Sequence, residues 1–308
     1  MVDKTCPMSR LAASTWLSSF AVALVLVVTC AVSSAHATTT AGGLQHVTLI
    51  GDSVADGIPG DSQALATINQ GIDLDLEVAP CRRVDQASCP NASGVRPPNV
   101  IELVQSMGSK LGPNVVVTVG YNDFEDQYAQ NIETALSALR AAGVSNVWWL
   151  TLRAAHHGYI SMNDDIVAAA QAHPELQVID WNLYSRSHPE WFQADGVHLL
   201  SGGAEAMATL IHQTLLNAGV ARPPASIATT ALPVGHAHKP YRASLAAQGG
   251  LAPYAWSLLA RAPRGIHLEA SGLIMGRPAA AGSYVLVVKV TDSAGSSAVR
   301  RITLHVMR

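Results

Sequence analysis

The amino-acid sequence predicts a three-layer α/β/α domain followed by a smaller all-β domain. From residue 47 to about residue 218, short apolar runs alternate five times with longer segments, among which residues 132–142 and 164–172 have helical period. After Arg222-Pro223-Pro224 the helical period stops, and apolar residues then alternate in period two. Alternating strands and helices are typical of a parallel sheet covered on both faces, and a period of two is typical of half-buried antiparallel strands.

Five apolar runs are the predicted strands of the first domain. Three of them are nearly continuous in apolar residues, as strands buried on both faces should be. They cover residues 47–50, 74–78, 115–119, 147–152 and 176–179. The Pro- and Gly-containing segment 89–98 is predicted to be a surface loop. We expect a leader at residues 1–37, the α/β domain at 44–220, a linker at 221–230 and the β domain at 231–308.

Two period-two segments near the carboxyl end predict a pair of strands. Asp292-Ser293-Ala294-Gly295 separates them and is a plausible tight turn. Asp292 is also considered as a calcium ligand, but an aspartate in a turn more often bonds the amides of that turn. The apolar faces of the two strands consist of Tyr284, Leu286, Val288 and Val290, and of Ile302, Leu304 and Val306.

The composition indicates a folded protein of moderate charge. The 308 residues contain 19 Lys and Arg against 22 Asp and Glu, a formal net charge of −3, and 49% of them are hydrophobic. A disordered chain would be less hydrophobic and more highly charged, and about 150 residues per domain predicts two domains. Because the chain has no run of basic residues, we do not expect nucleic acid as a partner.

Residues 1–37 have the features of a secretory signal peptide. Lys4 and Arg10 precede an apolar stretch at residues 16–32, and Ala35-His36-Ala37 offers a cleavage site of small residues. An uncleaved membrane anchor is the alternative, because the stretch approaches the ~20 residues that span a bilayer. Lipidation at Cys30 is disfavoured, since Thr29 stands where such sites have a smaller residue. We expect a bacterial protein that is secreted, periplasmic or attached to the cell envelope.

Cleavage after Ala37 would leave two cysteines, Cys81 and Cys89. Two cysteines eight positions apart in an exported chain predict a disulfide. Two buried thiols are the alternative. A zinc site is disfavoured, because no second pair of cysteines or histidines stands nearby at ligand spacing.

The first candidate catalytic residue is Ser53, in the block Gly51-Asp52-Ser53 directly after the first predicted strand. The carboxyl end of a parallel strand faces the crevice in which open α/β sheets bind ligands. Backbone N–H groups at such a turn can stabilise an oxyanion. In the alternative interpretation, Ser53 caps the following helix and Asp52 only forms a turn.

A second block, Gly120-Tyr121-Asn122-Asp123, directly follows the third predicted strand. Gly120 lets the backbone approach a ligand closely, and the Asn122 amide can donate a hydrogen bond to a developing negative oxygen. Asn and Asp are also common in ordinary turns, which is the alternative interpretation of this block.

A third block, Asp195-Gly196-Val197-His198, precedes the last helix of the domain. A serine hydroxyl is a poor nucleophile until a histidine takes its proton, and that histidine needs a carboxylate to fix its tautomer. One loop can present both Asp195 and His198 to a serine on another strand. Upstream of this block, Trp181, Trp191 and Phe192 are candidates for lining the cleft, although tryptophans at strand ends more often serve packing.

Taken in order, the three blocks resemble those of the SGNH (GDSL-type) esterase superfamily, over roughly residues 46–218. The resemblance implies a flavodoxin-like α/β/α fold of about five parallel strands, with no metal or organic cofactor. It implies that Ser53 is the nucleophile, that His198 is the general base and acid, and that Asp195 orients His198. It also implies an oxyanion hole with the Asn122 amide and the Ser53 N–H as donors, and we place Gly120 there as well.

The sequence departs from this family after the second predicted strand. The family carries there a glycine whose N–H enters the oxyanion hole, whereas this chain has Ala79-Pro80-Cys81-Arg82-Arg83, and Pro80 has no N–H to give. We expect the N–H of Cys81 or Arg82 to replace it, with a Cys81–Cys89 disulfide fixing the loop. Arg82 or Arg83 is also a candidate for attracting an anionic group of the substrate, although arginines in exposed loops are more often solvated.

The segment from about residue 233 to residue 306 resembles bacterial Ig-like, cadherin-like domains. The resemblance rests on residues 253–258, 271–278, 282–284 and 290–295. It implies a small β-sandwich that acts as a spacer or contacts the cell surface or a polysaccharide. His236-Ala237-His238 is considered as a metal-binding pair, but without further ligands we expect an exposed loop.

Together these features predict an exported serine esterase that hydrolyses short-chain or O-acetyl esters. The expected substrate is an ester-bearing small molecule or a cell-envelope glycan. One alternative is an envelope O-acyltransferase that uses the same triad. The other is a non-catalytic surface-binding protein that relies on its β domain.

Overall fold

The computed structural model describes residues 43–91 and 93–308, so the predicted signal peptide at residues 1–37 lies outside the described residues. The first domain contains five strands and seven helices. The strands are β1 (His46–Gly51), β2 (Asp73–Val78), β3 (Asn114–Thr118), β4 (Asn146–Leu150) and β5 (Leu176–Ile179). The helices are α1 (Gly57–Gly60), α2 (Ser62–Ile68), α3 (Val100–Met107), α4 (Tyr128–Ala141), α5 (Gly158–Ala172), α6 (Trp181–Ser185) and α7 (Ser201–Asn217). Short 3₁₀ turns lie at Gly108–Leu111, Glu125–Gln127 and Pro189–Trp191.

The five strands form one parallel sheet in the order β2-β1-β3-β4-β5. This order is that of flavodoxin-like folds, in which the connections change direction next to the first strand. The predicted fold class is confirmed, and all five predicted strands are present. The carboxyl ends of β1 and β3 are neighbours at the point where the direction changes, which is where such sheets bind ligands.

The most continuous apolar runs form the strands in the middle of the sheet, which is buried on both faces there. All five residues of β3 are buried. On β4, the adjacent Trp148 and Trp149 pack into different hydrophobic cores on opposite sides of the sheet. Successive side chains of a strand point to opposite faces, so a continuous apolar run can fill both cores at once. Burial of each such side chain contributes about 1.5–3 kcal/mol of favourable transfer free energy.

Helices cover both faces of the sheet. On one face α7 packs against α1 and α2, and on the other α4 packs against α3 and α5. Helix α3 begins with a capping box, in which the Asn99 side chain accepts from the N–H of Glu102 and the Glu102 carboxylate accepts from the N–H of Asn99. This cap fixes the end of the loop that starts after β2.

The second domain is built from antiparallel strands, apart from one short parallel contact between β7 and β14. Its strands are β6 (Ser226–Ile227), β7 (Gly235–His236), β8 (Tyr241–Ser244), β9 (Ala247–Gln248), β10 (Ala255–Leu258), β11 (Ile266–Leu268), β12 (Leu273–Gly276), β13 (Gly282–Thr291) and β14 (Ser297–Met307). They form sheets in the orders β10-β13-β14-β7 and β11-β12-β8, and β6 pairs with β9. Trp256, Val288 and Leu304 lie in the core that these strands enclose.

The turn between β13 and β14 has the predicted form. The Asp292 carboxylate accepts from the N–H groups of Ala294 (3.0 Å), Ser296 (2.8 Å) and Leu251 (2.9 Å). These bonds agree with the turn interpretation of Asp292, which has backbone donors rather than a cluster of acidic neighbours.

The second domain begins before the predicted residue 231. Ala225 and Ile227 are buried in its hydrophobic core, and β6 already pairs with β9. The sequence suggested a linker here because Pro223 and Pro224 interrupt the helical period. A two-residue strand is too short to show a period of two. Among the residues that the structure describes, no helix is long and apolar enough to cross a membrane.

We expect Trp149→Ala to lower the free energy of unfolding of the α/β domain by about 3–5 kcal/mol, because it removes a fully buried aromatic side chain. Trp149 also donates from Nε1 to the Tyr128 hydroxyl at 3.1 Å. Denaturant unfolding followed by helical circular dichroism checks this, since the described helices all lie in the α/β domain. The control Leu183→Ala, at a side chain that is 52% exposed, should stay within about 0.5 kcal/mol of the wild type. A loss below 1 kcal/mol for Trp149→Ala would contradict the packing described above.

Candidate active site

The structure brings Ser53, His198 and Asp195 into one chain of hydrogen bonds. Ser53 lies two residues after β1, and the other two residues lie in the loop before α7. Ser53 Oγ is 2.9 Å from His198 Nε2, and His198 Nδ1 is 2.7 Å from Asp195 Oδ2. The alternative in which Ser53 caps the following helix is not what the structure shows, because α1 has Asp56 at its N-cap with no side-chain cap and Ser53 Oγ bonds to His198.

The loop that carries Asp195 and His198 is shaped by Asp195 itself. Asp195 Oδ1 accepts from the N–H groups of Val197 (2.8 Å) and His198 (3.0 Å), while Gly196 adopts a positive φ of 71°. These backbone bonds and the contact with His198 lower the pKa of Asp195 to about 2. The carboxylate therefore stays ionised in neutral solution, as a group that orients His198 and stabilises its protonated form must be.

A short antiparallel contact holds this loop against the segment before it. Gln193 N–H donates to His198 O at 2.8 Å, and Leu200 N–H donates to Trp191 O at 2.8 Å. From the segment after β4, Arg153 Nη1 donates to Gly196 O at 2.6 Å.

The aromatic residues upstream of the loop serve mainly packing. Trp181 is fully buried and Phe192 is 5% exposed, and both belong to the core beneath the sheet edge. Trp191 stacks between Trp181, at 6.1 Å between ring centroids, and His188, at 3.8 Å. The prediction that these residues line the cleft is therefore corrected for Trp181 and Phe192, since the sequence could not show which aromatic rings face the core.

The carboxylate of Asp52 lies beneath Ser53 and is fully buried. It accepts from the N–H groups of Val54 (3.0 Å), Gly120 (3.3 Å) and Tyr121 (3.3 Å). Burial raises the pKa of Asp52 to about 6, against the opposing effect of these hydrogen bonds. The bond to Val54 is the turn contact considered from the sequence, and the other two bonds fasten the end of β1 to the end of β3.

Three of the predicted oxyanion donors remain available and two do not. Gly120 N–H already donates to Asp52, and Arg82 N–H donates to Ala79 O at 3.3 Å. The assignment of Gly120 to the oxyanion hole is therefore corrected. Within the described residues, the N–H groups of Ser53 and Cys81 have no hydrogen-bond acceptor. Asn122 Nδ2 donates one of its two hydrogens to Arg82 O at 3.4 Å, which places the amide beside the loop after β2 and leaves its second hydrogen for another acceptor.

Cys81 takes the place of a glycine in backbone conformation as well as in sequence. Its φ is +66°, in the left-handed region that favours glycine and is uncommon for other residues. The predicted disulfide joins Cys81 to Cys89, with 5.2 Å between their Cα atoms. The bond thus constrains the residue whose N–H we expect to replace that of the missing glycine.

The two arginines after Cys81 are engaged with the protein. Arg82 is 3% exposed and donates to backbone carbonyls, so it is not the solvated cation expected from the sequence. Arg83 Nε donates to Asn122 O at 2.7 Å, and its guanidinium lies 4.6 Å from the centroid of the Phe124 ring.

Sequence reasoning missed a role for Asp123. Its carboxylate accepts from Val84 N–H at 3.0 Å and from Asn131 Nδ2 at 3.4 Å, and so ties the loop after β3 to the loop after β2. Burial raises the pKa of Asp123 to about 7. The only signal in the sequence was its place next to Asn122, which did not reveal a partner 39 positions away.

Fold and site together define an α/β protein in which serine, histidine and aspartate meet at the carboxyl edge of a flavodoxin-like sheet. This is the arrangement that the resemblance to SGNH esterases predicts. A family model described as "Putative Ig domain" matches residues 223–307, which confirms the Ig-like domain predicted at the carboxyl end.

Curated relatives match part of the chain. One is the O-acetyltransferase OatA of Staphylococcus aureus, 29% identical over 107 residues, which are 35% of this chain and 17% of the relative. Another is the "Putative peptidoglycan O-acetyltransferase YrhL" of Bacillus subtilis, 28% identical over 117 residues, which are 37% of this chain and 18% of the relative. The chain thus spans less than a fifth of the length of these relatives.

Similar solved structures cover part of the chain. One is the carboxyl-terminal catalytic domain of peptidoglycan O-acetyltransferase A from Streptococcus pneumoniae, with a TM-score of 0.45, 21% identity, and coverage of 58% of this chain and 96% of that one. Another is a family 3 carbohydrate esterase from Talaromyces cellulolyticus, with a TM-score of 0.41, 17% identity, and coverage of 57% of this chain and 98% of that one.

We expect Asp123→Asn to change how stability depends on pH. The folded protein holds the proton of Asp123 more tightly than the unfolded chain, because the pKa rises from 3.8 to about 7. The stability that this proton contributes is complete below pH 3.8 and is lost as the pH rises through 7. The difference in free energy of unfolding, Asp123→Asn minus wild type, should therefore rise by on the order of 2 kcal/mol between pH 4 and pH 8. Thermal unfolding across this range checks it.

The matched control for this prediction is Asp126→Asn, three residues further along the same loop, where the side chain is exposed. Its stability should follow that of the wild type at every pH. A constant difference between Asp123→Asn and the wild type from pH 4 to pH 8 would show that Asp123 is not held protonated in the folded protein.

Proposed function

We propose that the protein is an exported serine enzyme that cleaves short-chain, acetyl-type esters through an acyl-enzyme intermediate on Ser53. The observation that carries this proposal is the hydrogen-bonded chain Ser53–His198–Asp195, with distances of 2.9 and 2.7 Å. Distances of this kind are what a nucleophile, its base and the orienting group of that base require. The three residues come from two separate loops, so their meeting is not a local turn.

In the proposed reaction, His198 Nε2 accepts the proton of Ser53 Oγ as that oxygen attacks the carbonyl carbon of the ester. The resulting imidazolium is held by the ionised Asp195 and then gives its proton to the leaving alcohol. This step leaves the acyl group on Ser53. Water, activated by His198 in the same way, attacks the acyl-enzyme and releases the acid.

The negative oxygen of each tetrahedral intermediate would be held by the N–H groups of Ser53 and Cys81 and by the Asn122 amide. Neither of the two N–H groups has an acceptor among the described residues, so each can donate to the substrate oxygen without breaking an existing hydrogen bond. Donors that are already in place when charge develops need no reorganisation, which makes this type of stabilisation large.

A second candidate function is transfer of the acyl group to a sugar hydroxyl of the cell envelope. The curated relatives are named as O-acetyltransferases, one of them of peptidoglycan, and this observation favours a glycan acceptor. The chemistry differs only in the second half, where a glycan hydroxyl replaces water. We propose that the Ig-like domain is a spacer or an envelope contact in either case, and that the protein works outside the cytoplasm.

Ser53→Ala and His198→Ala should each lower kcat for p-nitrophenyl acetate by at least about 10³-fold, because the first removes the proposed nucleophile and the second the proposed base. Kinetics with acetyl, butyryl and octanoyl p-nitrophenyl esters checks this and shows the preferred acyl length. Ser62→Ala, at an exposed serine nearby, is the control and should behave as the wild type. Turnover that survives in Ser53→Ala would refute the mechanism, and complete inertness of the wild type would favour a binding protein.

If the enzyme is a transferase, soluble peptidoglycan fragments added with p-nitrophenyl acetate should become acetylated. Mass spectrometry should then show one or more acetyl groups on the glycan, with Ser53→Ala as the negative control. Release of free acetate alone at every acceptor concentration would assign the protein as a hydrolase.

A further inference from the structure

Arg82 is a buried cation that has no carboxylate within salt-bridge distance in the described part of the chain, although the charges of Glu77 and Asp52 act on it. It lies in the loop after β2 and is 3% exposed. Burial lowers the pKa of its guanidinium, although an arginine remains charged in proteins. Burying a charge is costly unless its hydrogen bonds are well satisfied, so the position of this side chain needs a reason.

The guanidinium of Arg82 bonds to three separate parts of the backbone. Nη1 donates to the carbonyl of Glu77 at the end of β2, and lies 3.4 Å from the carbonyl of Gly51 at the end of β1. Nε donates to the carbonyl of Pro98 at 3.0 Å, just before α3 begins. One side chain therefore joins the strand before Ser53, the second strand and the far end of the loop after β2.

These contacts reach the neighbours of all three proposed oxyanion donors. Gly51 precedes Ser53 by two residues, Cys81 is the residue directly before Arg82, and the Asn122 amide lies 3.4 Å from the Arg82 carbonyl. The three donors follow three different strands. Arg82 lies in the loop after β2, beside Cys81, and it forms hydrogen bonds with Gly51 at the end of β1 and with the Asn122 side chain after β3.

We propose that Arg82 is the positioning residue of the oxyanion hole: its guanidinium fixes the spacing between the Ser53 turn and the Cys81 loop, and its carbonyl seats the Asn122 amide. The inference rests on the proposed function. It assigns to Arg82 no contact with the substrate, because the guanidinium is turned into the protein.

The geometry explains why arginine stands here. A guanidinium is a rigid planar fork that can hold acceptors in several directions at once, whereas a lysine ammonium is a single point on a flexible stem. Lysine would keep the positive charge but not the simultaneous bonds to Gly51 and Pro98. Catalysis is sensitive to this difference, since misplacing a reacting group by about 1 Å can cost on the order of 10²-fold in rate.

The test measures kcat and KM for p-nitrophenyl acetate, and the pH profile, in the wild type, Arg82→Lys and Arg82→Ala. The matched control is Arg96→Lys, an exposed arginine of the same loop that donates to the carbonyl of Ser88. Arg82→Lys should lower kcat by on the order of 10²-fold. KM and the pH dependence of the rate should stay as in the wild type, and Arg96→Lys should change neither of these nor kcat.

Arg82→Ala provides a second test of the role of the guanidinium, in case Arg82→Lys distorts the loop. Guanidinium chloride at low concentration should restore part of its kcat, while sodium chloride at the same ionic strength should not. Thermal unfolding of each variant shows whether it is folded at the assay temperature. A folded Arg82→Lys with wild-type kcat would overturn the inference, as would a loss of kcat accompanied by an equal rise in KM or a shifted pH profile.

The wild type separates this inference from the proposed function. If it shows Ser53-dependent turnover and the Arg82 variants match it, only the inference on Arg82 fails. If the wild type shows no Ser53-dependent turnover with any ester, the proposed function fails, and the inference fails with it.

Discussion

The buried carboxylate of Asp52 holds together the two strand ends on which the site depends. It joins the turn after β1 to the backbone of Gly120 and Tyr121 after β3, so the positions of Ser53 and Asn122 are set relative to each other by one side chain. Removing a carboxylate from water is unfavourable, and the pKa of about 6 shows that the three N–H donors do not fully offset this cost. Burial of this carboxylate is unfavourable by itself, but its hydrogen bonds hold the ends of β1 and β3 together, which an apolar side chain could not do.

Each loop of the site is fastened by a different kind of chemistry. The loop of Asp195 and His198 is held by the bonds of Asp195 to its own backbone. The loop after β2 is held by the disulfide at Cys81 and by bonds from Arg83 and to Asp123. Loops on a sheet edge are normally the mobile part of a domain, and binding residues placed on them need such local constraints. The sheet supplies the positions and the polar contacts supply the rigidity.

The sequence was sufficient for those parts of the fold that local patterns encode. The strands were predictable because a continuous apolar run such as β3 must be covered on both faces. The contact between Ser53 and His198 was predictable because each residue lies next to a regular element at one sheet edge. What could not be predicted depends on contacts between distant segments. The engagement of Gly120 by Asp52 and the burial of Trp181 are of this kind, because no periodicity shows which amide or ring meets which partner.

The start of the second domain differs from the predicted residue 231 for a related reason. Two prolines and a loss of helical period look like a linker, but Ala225 and Ile227 already pack into the core of the second domain. A short strand at a domain entrance carries too few residues for a pattern, and its burial is decided by strands 20 or more residues away, as the pairing of Ser226 with Gln248 illustrates.

The exposure of the loop that carries Asp195 and His198 bears on the choice between the two proposed reactions, hydrolysis and transfer. The side chains of His198 and Asp195 are 42% and 46% exposed, so water reaches the base directly. In the proposed mechanism, an acyl-enzyme in such an open site would be hydrolysed unless an acceptor hydroxyl were held in place, where orientation can give it an effective concentration of about 10⁵ M or more. Because the proposed triad would treat a water and a sugar hydroxyl alike, selectivity for transfer would have to come from acceptor binding beside His198. The choice between the two proposed reactions would therefore depend on the surface around Ser53, His198 and Asp195 rather than on these three residues themselves.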